Sequence, residues 1–295
     1  MTTLTREPGA FSHQKEIAEV PTTIIEPSSG WFSLQLDRLW KYRELLYFLV
    51  WRDIKVRYKQ AALGVTWIVL QPVASMVVFS LLFGGLLDVP SGDVPYPIFA
   101  YAALLPWNYF SFSLTRASTS LVNNAHLITK VYFPRLLIPI SGVLAGVVDF
   151  LVAFAVLFIL MAIYGIAPTA RIALLPAFLL LALTTALGFS LWLSALNVRY
   201  RDVQQLVPFL VQMWMYATPV VYGSTLIPEP FRWLLALNPM TGVVEGFRWA
   251  LLGKHLSDAA PSGPLFAVSV VVALVALLSG VIFFRRTERA FADIV

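Results

Sequence analysis

Two apolar stretches of the sequence carry amides, hydroxyls and aromatic rings at steps of three or four residues. In the first stretch these residues are Asn108, Phe112, Thr115, Thr119 and Asn123, and in the second they are Gln205, Phe209, Gln212 and Tyr216. Such steps keep side chains on one face of an α-helix. Because these groups hydrogen-bond sugar hydroxyls and stack on sugar rings, both stripes predict a surface for a hydroxyl-rich substrate. The alternative is polar contact between packed helices.

Other kinds of chemistry lack the residues they need. The only Gly-Lys pair, Gly253 and Lys254, has no glycine five residues earlier, so the sequence predicts no phosphate-binding loop and no ATP hydrolysis by this chain. Cysteine is absent and the three histidines are scattered, at His13, His126 and His255. We therefore expect neither a metal site nor a cofactor.

Asp149 is the one carboxylate that lies well inside an apolar stretch. It predicts either a functional group facing a pathway or a hydrogen bond to a neighbouring helix. A membrane-embedded glycan transferase or ligase would need clustered acids or bases, which are missing, so we expect a protein that is not an enzyme.

The composition places these residues in a membrane protein. The chain of 295 residues is 59% hydrophobic and 13% charged, with a mean hydropathy of +0.77. A soluble domain of this size could not bury so much apolar surface. The net charge of +5 does not indicate nucleic-acid binding here, because in a membrane protein the positions of basic residues matter more than their sum.

Six apolar runs are each long enough to cross a bilayer, at residues 65–87, 98–120, 136–164, 172–196, 203–222 and 265–284. Backbone groups in lipid must be paired within the segment, so an all-α integral membrane fold with six transmembrane helices is expected. Only four of the 21 Lys and Arg residues would then lie outside, namely Arg171, Arg232, Arg248 and Lys254. This bias predicts a protein of the cytoplasmic membrane with both termini in the cytoplasm.

Three further segments complete the expected organisation. Residues 1–30 are polar and predict a disordered cytoplasmic tail, and residues 61–295 form the six-span domain. Residues 31–60 combine Trp, Tyr and Leu with basic residues and predict an N-terminal amphipathic interface helix, or alternatively a solvated helix before the first span. Between the fifth and sixth spans, residues 230–237 and 239–252 are too short to cross. They predict a re-entrant helical hairpin, or alternatively two helices lying flat on the outer surface.

Six dispersed motifs then give a family resemblance that runs from about Leu45 to the end of the chain. They read WRDIKVRYKQAALGVTWIVLQP, LLPWNYF, NNAHLITKVYFPRLLIP, LNVRYRDVQQLVPF, MYATPVVY and LNPMTGVVEGFRWALLG. In this order they resemble the membrane subunit of bacterial ABC exporters for surface polysaccharides, particularly O-antigen exporters.

The resemblance implies a homodimer in membrane lipids, energised by two copies of a separate ATP-binding subunit that carries ATP and Mg²⁺. It implies contact with that ATPase through two inner loops that contain Asn123, Lys130, Arg135, Arg199, Arg201 and Asp202. It also implies an outer gate in the hairpin, with Trp233, Asn238, Glu245 and Arg248.

The substrate that the resemblance implies is a polysaccharide on a polyprenyl diphosphate lipid. Four basic residues just before the first span are candidates for binding the diphosphate: Arg52, Lys55, Arg57 and Lys59. Their alternative role is to set topology and bind anionic lipids. Export of teichoic acid or capsular polysaccharide, and efflux of a drug or another lipid, remain alternative functions.

Overall fold

The computed structural model describes residues 36–59, 64–253, 263–288 and 291, in which all regular elements are helical. The predicted tail at 1–30, residues 31–35 and residue 60 of the predicted interface helix lie outside this range. The α-helices are α1 Leu36–Lys41, α2 Arg43–Lys59, α3 Gly64–Phe79, α4 Tyr96–Asn123, α5 Ala125–Lys130, α6 Leu137–Ile163, α7 Leu175–Arg199, α8 Val203–Ala217, α9 Arg232–Ala236, α10 Pro239–Leu252 and α11 Gly263–Glu288. A π-helix, Ser80–Leu86, continues α3, and a 3-10 turn, Ala170–Leu174, precedes α7.

Four helical segments of the described chain have the length and composition to cross a membrane. They are Thr66–Leu86, Leu137–Ile163, Ala170–Arg199 and Gly263–Glu288. Helix α4 has 28 residues, which is long enough to cross, but it contains more polar residues than these four segments. Helix α8 has only 15 residues and rises about 22 Å, less than the ~30 Å of hydrocarbon.

The early end of α8 has a local cause. The predicted run continues to Tyr222, but Thr218 leaves the helical region just before Pro219. A proline disfavours helical geometry in the residue that precedes it. The chain therefore turns after Ala217 and returns through two short 3-10 turns towards α9.

Helix α4 is the centre of the bundle. Its residues are mostly buried, and it packs against α3, α6, α7, α8 and α10. Helix α10 is also enclosed, because all its residues except Glu245 and Trp249 are buried against α4, α7 and α11.

Helix α2 packs along α6 and is less segregated into apolar and polar faces than the sequence predicts. Leu46 and Leu49 face the bundle, whereas Tyr47, Phe48 and Trp51 are exposed.

Helices α7 and α11 cross at a point where both helices carry a glycine. A Cβ on Gly188 would lie 2.7 Å from the backbone nitrogen of Leu277, and one on Gly280 would collide with the carbonyl oxygen of Gly188. Small residues let helix backbones approach closely in a membrane. The obstructing atoms belong to backbone, so a side chain cannot rotate away to make room.

We predict that Gly188→Ala destabilises the protein by ~1–3 kcal/mol, the usual cost of inserting a methyl group into packed surroundings. The measurement is the Tm of the purified protein in detergent. Gly85→Ala is the matched control, because a Cβ there meets only one atom, the carbonyl oxygen of Ser80 at 3.8 Å. Equal Tm values for the two variants would contradict a tight α7–α11 crossing.

Candidate functional site

The polar stripe of α8 is exposed along its whole length in the single chain. Its members are Gln205, Phe209, Gln212 and Tyr216. The buried residues of α8 are Val203, Val207 and Val211, which hold the opposite face on the bundle. The stripe therefore presents amides and rings outward on a helix that is anchored by valines.

The stripe of α4 is half-buried in its central part and faces α2 and α6. The Phe112 ring centroid lies 4.1 Å from the guanidinium carbon of Arg57, and the ring borders Gly146 of α6. The Thr115 hydroxyl donates to the carbonyl oxygen of Ser111, 2.8 Å away, so its hydrogen is already used. Asn108 is also half-buried.

The two stripes do not form one surface within the chain. The Phe110 ring faces α8, with its centroid 5.0 Å from that of Trp214. Phe110 and Phe112 are two residues apart and therefore point in directions roughly 200° different on the helix. The α4 stripe thus lies away from α8 within one subunit.

Asp149 is bound by two adjacent residues of α2. Its Oδ2 accepts a hydrogen bond from Arg57 Nη1 in an ion pair, and its Oδ1 accepts one from the Tyr58 hydroxyl. Burial, followed by the hydrogen bond to Asp149, raises the pKa of Tyr58 to about 12, so its phenol stays protonated as the donor. The structure thus places Arg57, Phe112 and Asp149 in one cluster between α2, α4 and α6.

This cluster lies deep along the bundle. Asp149 is twelve residues from the first residue of α6, or about 18 Å along the helix axis. Phe112 is eleven residues from the end of α4, or about 16 Å. Arg57 therefore meets its partners well inside both helices and not at their ends.

The four basic candidates of α2 divide between two faces. Arg52, Lys55 and Lys59 are spaced by three and four residues and share one face, whereas Arg57 faces the bundle. Lys55 and Lys59 are exposed, and Arg52 pairs with the neighbouring Asp53 at 2.9 Å. Within the described part of the chain, Arg57 is the one of these four that pairs with a carboxylate of α6 and lies against a ring of α4.

The candidate ATPase contacts gather at one end of the bundle. Asn197 of α7 donates to the Ser118 carbonyl of α4 at 3.1 Å, which places the end of α7 beside the end of α4. The exposed candidates there are Asn123, Lys130, Arg199, Arg201 and Asp202. A cavity of about 250 Å³ lies among residues 128–133 and Arg135.

Arg135 differs from the other candidates at this end because it is half-buried and bonded within the chain. Its Nη1 donates to the carbonyl oxygen of Glu288, and its backbone N–H donates to Glu288 Oε1 at 3.2 Å. These bonds join the loop before α6 to the end of α11. Among the described residues, no group of three or more His, Asp or Glu is placed to bind a metal ion.

Arg248, a candidate for the outer gate, is a buried cation with an exposed fraction of 3%. It donates to the carbonyl oxygens of Phe99, Pro219, Val220 and Tyr222. Its guanidinium carbon also lies 3.7 Å from the Phe99 ring centroid. Arg248 thereby binds the turn after α8 to α10 and to the beginning of α4.

Asn238 connects the same turn to the beginning of α10. Its Oδ1 accepts from the Met240 backbone and from Trp214 Nε1, and its Nδ2 donates to Thr218 Oγ1. The other two gate candidates differ from it: Trp233 is exposed, and Glu245 is half-buried near Ser224. Asn238 therefore links the end of α8 directly to α10.

Several residues of these sites carry no role in the sequence-based prediction. They are Tyr58, Trp214 and Glu288, each of which bonds to a residue distant in the chain. The one available signal is a polar side chain inside an apolar stretch, which for Asp149 and Asn197 indicates a partner without identifying it.

Comparison with known proteins agrees with this architecture. Residues 44–252 match the membrane domain family of ABC-2 type transporters. The chain is 37% identical to an O-antigen export system permease protein of Myxococcus xanthus, over 85% of this chain and 96% of that protein. It is 29% identical to one of Klebsiella pneumoniae, over 85% and 95%. It is 26% identical to a polysialic acid transport protein of Escherichia coli, over 81% and 92%. The chain therefore belongs to the ABC-2 type transporter family, as a membrane permease and not as the ATPase.

Proposed function

We propose that this permease exports a polysaccharide of the O-antigen class, attached to a polyprenyl diphosphate lipid. The observation that carries the proposal is the similarity to O-antigen export permeases along nearly their whole length, at up to 37% identity. Capsular polysaccharide is the second candidate, because polysialic acid transport proteins match at 26% and 25%. Energy comes from a separate ATP-binding subunit, as expected of this transporter family.

The working unit is a homodimer with two ATP-binding subunits. Support comes from α8, which leaves Gln205 and Gln212 uncovered in the single chain. Unpaired amides are costly in hydrocarbon, so this face has to meet protein or water. A second copy facing the first across a hydrated pathway supplies both.

Six spans with both termini in the cytoplasm fit the helices and the distribution of basic residues. In this topology α4 crosses along with the four more apolar segments. Helix α8, with 15 residues, completes the fifth span only together with the residues that follow it, and α9 and α10 form a re-entrant hairpin from the outer side. The enclosure of α10 by α4, α7 and α11 supports this arrangement. Its 14 residues rise about 21 Å, too short to cross.

The function is tested by deleting the gene for this chain in its native host. We expect the surface O-antigen to disappear and lipid-linked glycan to accumulate inside, because polymerised glycan then has no exit. Immunoblots of surface and membrane fractions measure both quantities, with plasmid-borne wild type as the control. Loss of a capsule with normal O-antigen would support the second candidate, and unchanged surface glycans would contradict both.

The α8 stripe is tested by the double variant Gln212→Leu, Tyr216→Leu. If amide and phenol guide sugar hydroxyls, export falls at least about tenfold while dimer and ATPase assembly persist. The readout is surface glycan per purified intact complex. Gln204→Leu is the matched control, an exposed glutamine on the same helix but off the stripe. Normal export by the assembled double variant would remove the stripe from the pathway, and failed assembly would indicate a packing role.

The ATPase contact is tested by reversing two charges at the turn between α7 and α8. Arg199→Glu with Arg201→Glu should abolish copurification of the ATP-binding subunit, because the two exposed cations become anions and repel a docking surface that pairs with positive charge. Lys41→Glu with Arg43→Glu is the control, an equal charge change at exposed residues of α1 and α2. Wild-type copurification after the first change would place docking elsewhere.

A further inference from the structure

The ion pair between Arg57 and Asp149 uses only part of the guanidinium. Nη1 donates to the carboxylate, whereas Nη2 is buried and has no hydrogen-bond partner among the described residues. A guanidinium can bind an oxyanion through two parallel N–H groups, and such forked pairs are stronger than single ones. Arg57 is thus less fully bonded by Asp149 than it would be by a phosphate with several oxygens.

The pair is also reachable from outside the chain. The Arg57 and Asp149 side chains retain 21% and 20% exposure, so neither is sealed in the core. The Phe112 ring covers one face of the guanidinium, at 4.1 Å from its carbon. A flexible arginine held by one carboxylate and one ring can turn towards a competing anion without unfolding a helix.

Asp149 gives Arg57 a counter-charge when no ligand is present. A lone cation about 18 Å along α6 would be costly in an apolar bundle, and the carboxylate cancels that charge. Asp149 also accepts from Tyr58, so its second oxygen keeps a donor when Arg57 leaves. The carboxylate is therefore held in place to receive the arginine again.

We propose that Asp149 and the diphosphate of the lipid-linked substrate compete for Arg57, so that the ion pair is an exchangeable headgroup site. The ligand class is a diphosphate ester, which offers more oxygens and more charge than one carboxylate. Its binding frees Asp149, and its departure is driven by the carboxylate taking Arg57 back. This inference rests on the proposed function, because it assumes a diphosphate-linked substrate.

Arg57 is distinguished from the other basic residues of α2 by its face of the helix. Lys55 and Lys59 are exposed on the side away from the ion pair and attract anionic headgroups in general. Arg57 adjoins Phe112 in the α4 stripe, so a headgroup bound there lies between α2 and α4. The exchange site is thereby separated from the membrane-facing lysines.

The experiment uses the full complex with its ATP-binding subunit in nanodiscs. Native mass spectrometry measures the apparent Kd for polyprenyl diphosphate, with polyprenyl monophosphate as a second lipid. Inorganic diphosphate added to the buffer distinguishes a lipid headgroup from a free anion of the same chemistry. We expect the diphosphate lipid to bind most tightly and inorganic diphosphate to displace it only weakly.

The variant Asp149→Asn decides between exchange and a purely structural pair by the direction in which the Kd for the diphosphate lipid changes. Without the competing charge, the diphosphate lipid should bind about tenfold more tightly and surface export should fall, because release is slowed. Asp93→Asn is the matched control, since it makes the same carboxylate-to-amide change at an exposed residue of the loop before α4, and its Kd should stay within about twofold of wild type. A purely structural pair predicts unchanged or weaker binding in Asp149→Asn, and that result would overturn the exchange.

Arg57→Lys keeps the inference testable should Asp149→Asn fail to assemble. Lysine retains the cation opposite Asp149 but loses the fork, so diphosphate binding should weaken about tenfold in an intact complex. Unchanged binding in this variant would exclude Arg57 from the site. If the wild-type complex itself does not prefer the diphosphate lipid, the proposed substrate class fails, which is a different result from failure of the exchange alone.

Discussion

A polar group inside an apolar helical bundle has to find its partner within the protein, because hydrocarbon offers none. The described residues obey this constraint at one half-buried cation and one buried cation. Arg57 is bound by Asp149, and Arg248 is surrounded by four backbone carbonyl groups. The first pair holds α2 against α6, and the second arginine holds the turn after α8 against α10. The packing of α2 on α6, and that of the turn after α8 on α10, therefore each depend on a charged side chain finding its partners.

Helix α8 does not satisfy this constraint in the single chain. The two polar stripes differ in this respect. The central α4 stripe is partly satisfied within the bundle, as Thr115 bonded to its own helix and Phe112 beneath Arg57 show. The α8 stripe has exposed amides instead. Packing between helices accounts for part of the first stripe, whereas the second needs a surface that a single subunit does not provide. The case for a substrate surface is accordingly stronger on α8 than on α4.

Sequence could predict the helices because length and apolar content are local properties. Each of the six apolar runs contains a helix, and the enclosed α10 begins at the Asn-Pro pair that signals a helix start. The shortening of α8 was foreseeable from Pro219. The predicted segregation of the N-terminal helix was too simple, because its bundle-facing leucines and exposed aromatic rings are both apolar.

The partners of the buried charges could not be predicted in the same way. Arg57 and Asp149 are 92 residues apart, and their meeting depends on how far α2 climbs along α6. Hydropathy does not give that distance. From the sequence alone, Arg57 is therefore predicted to be one of four similar basic residues near the inner surface. Likewise, Arg248 reads as an external residue until the surrounding carbonyl groups are placed around it.

The position of Arg57 gives the exchange a mechanical consequence. On the proposed exchange, a headgroup that takes Arg57 removes an ion pair that fastens α2 to α6, leaving the Tyr58 bond and the packing of Leu49. A ligand changes a conformational equilibrium only by the difference in its affinity for the two states. The diphosphate binds Arg57 only when the ion pair with Asp149 is broken, so headgroup binding and the loosening of α2 are linked. The coupling free energy is the same in both directions, so each event favours the other equally. Substrate binding would then loosen the attachment of α2, the helix that precedes the first span in the sequence.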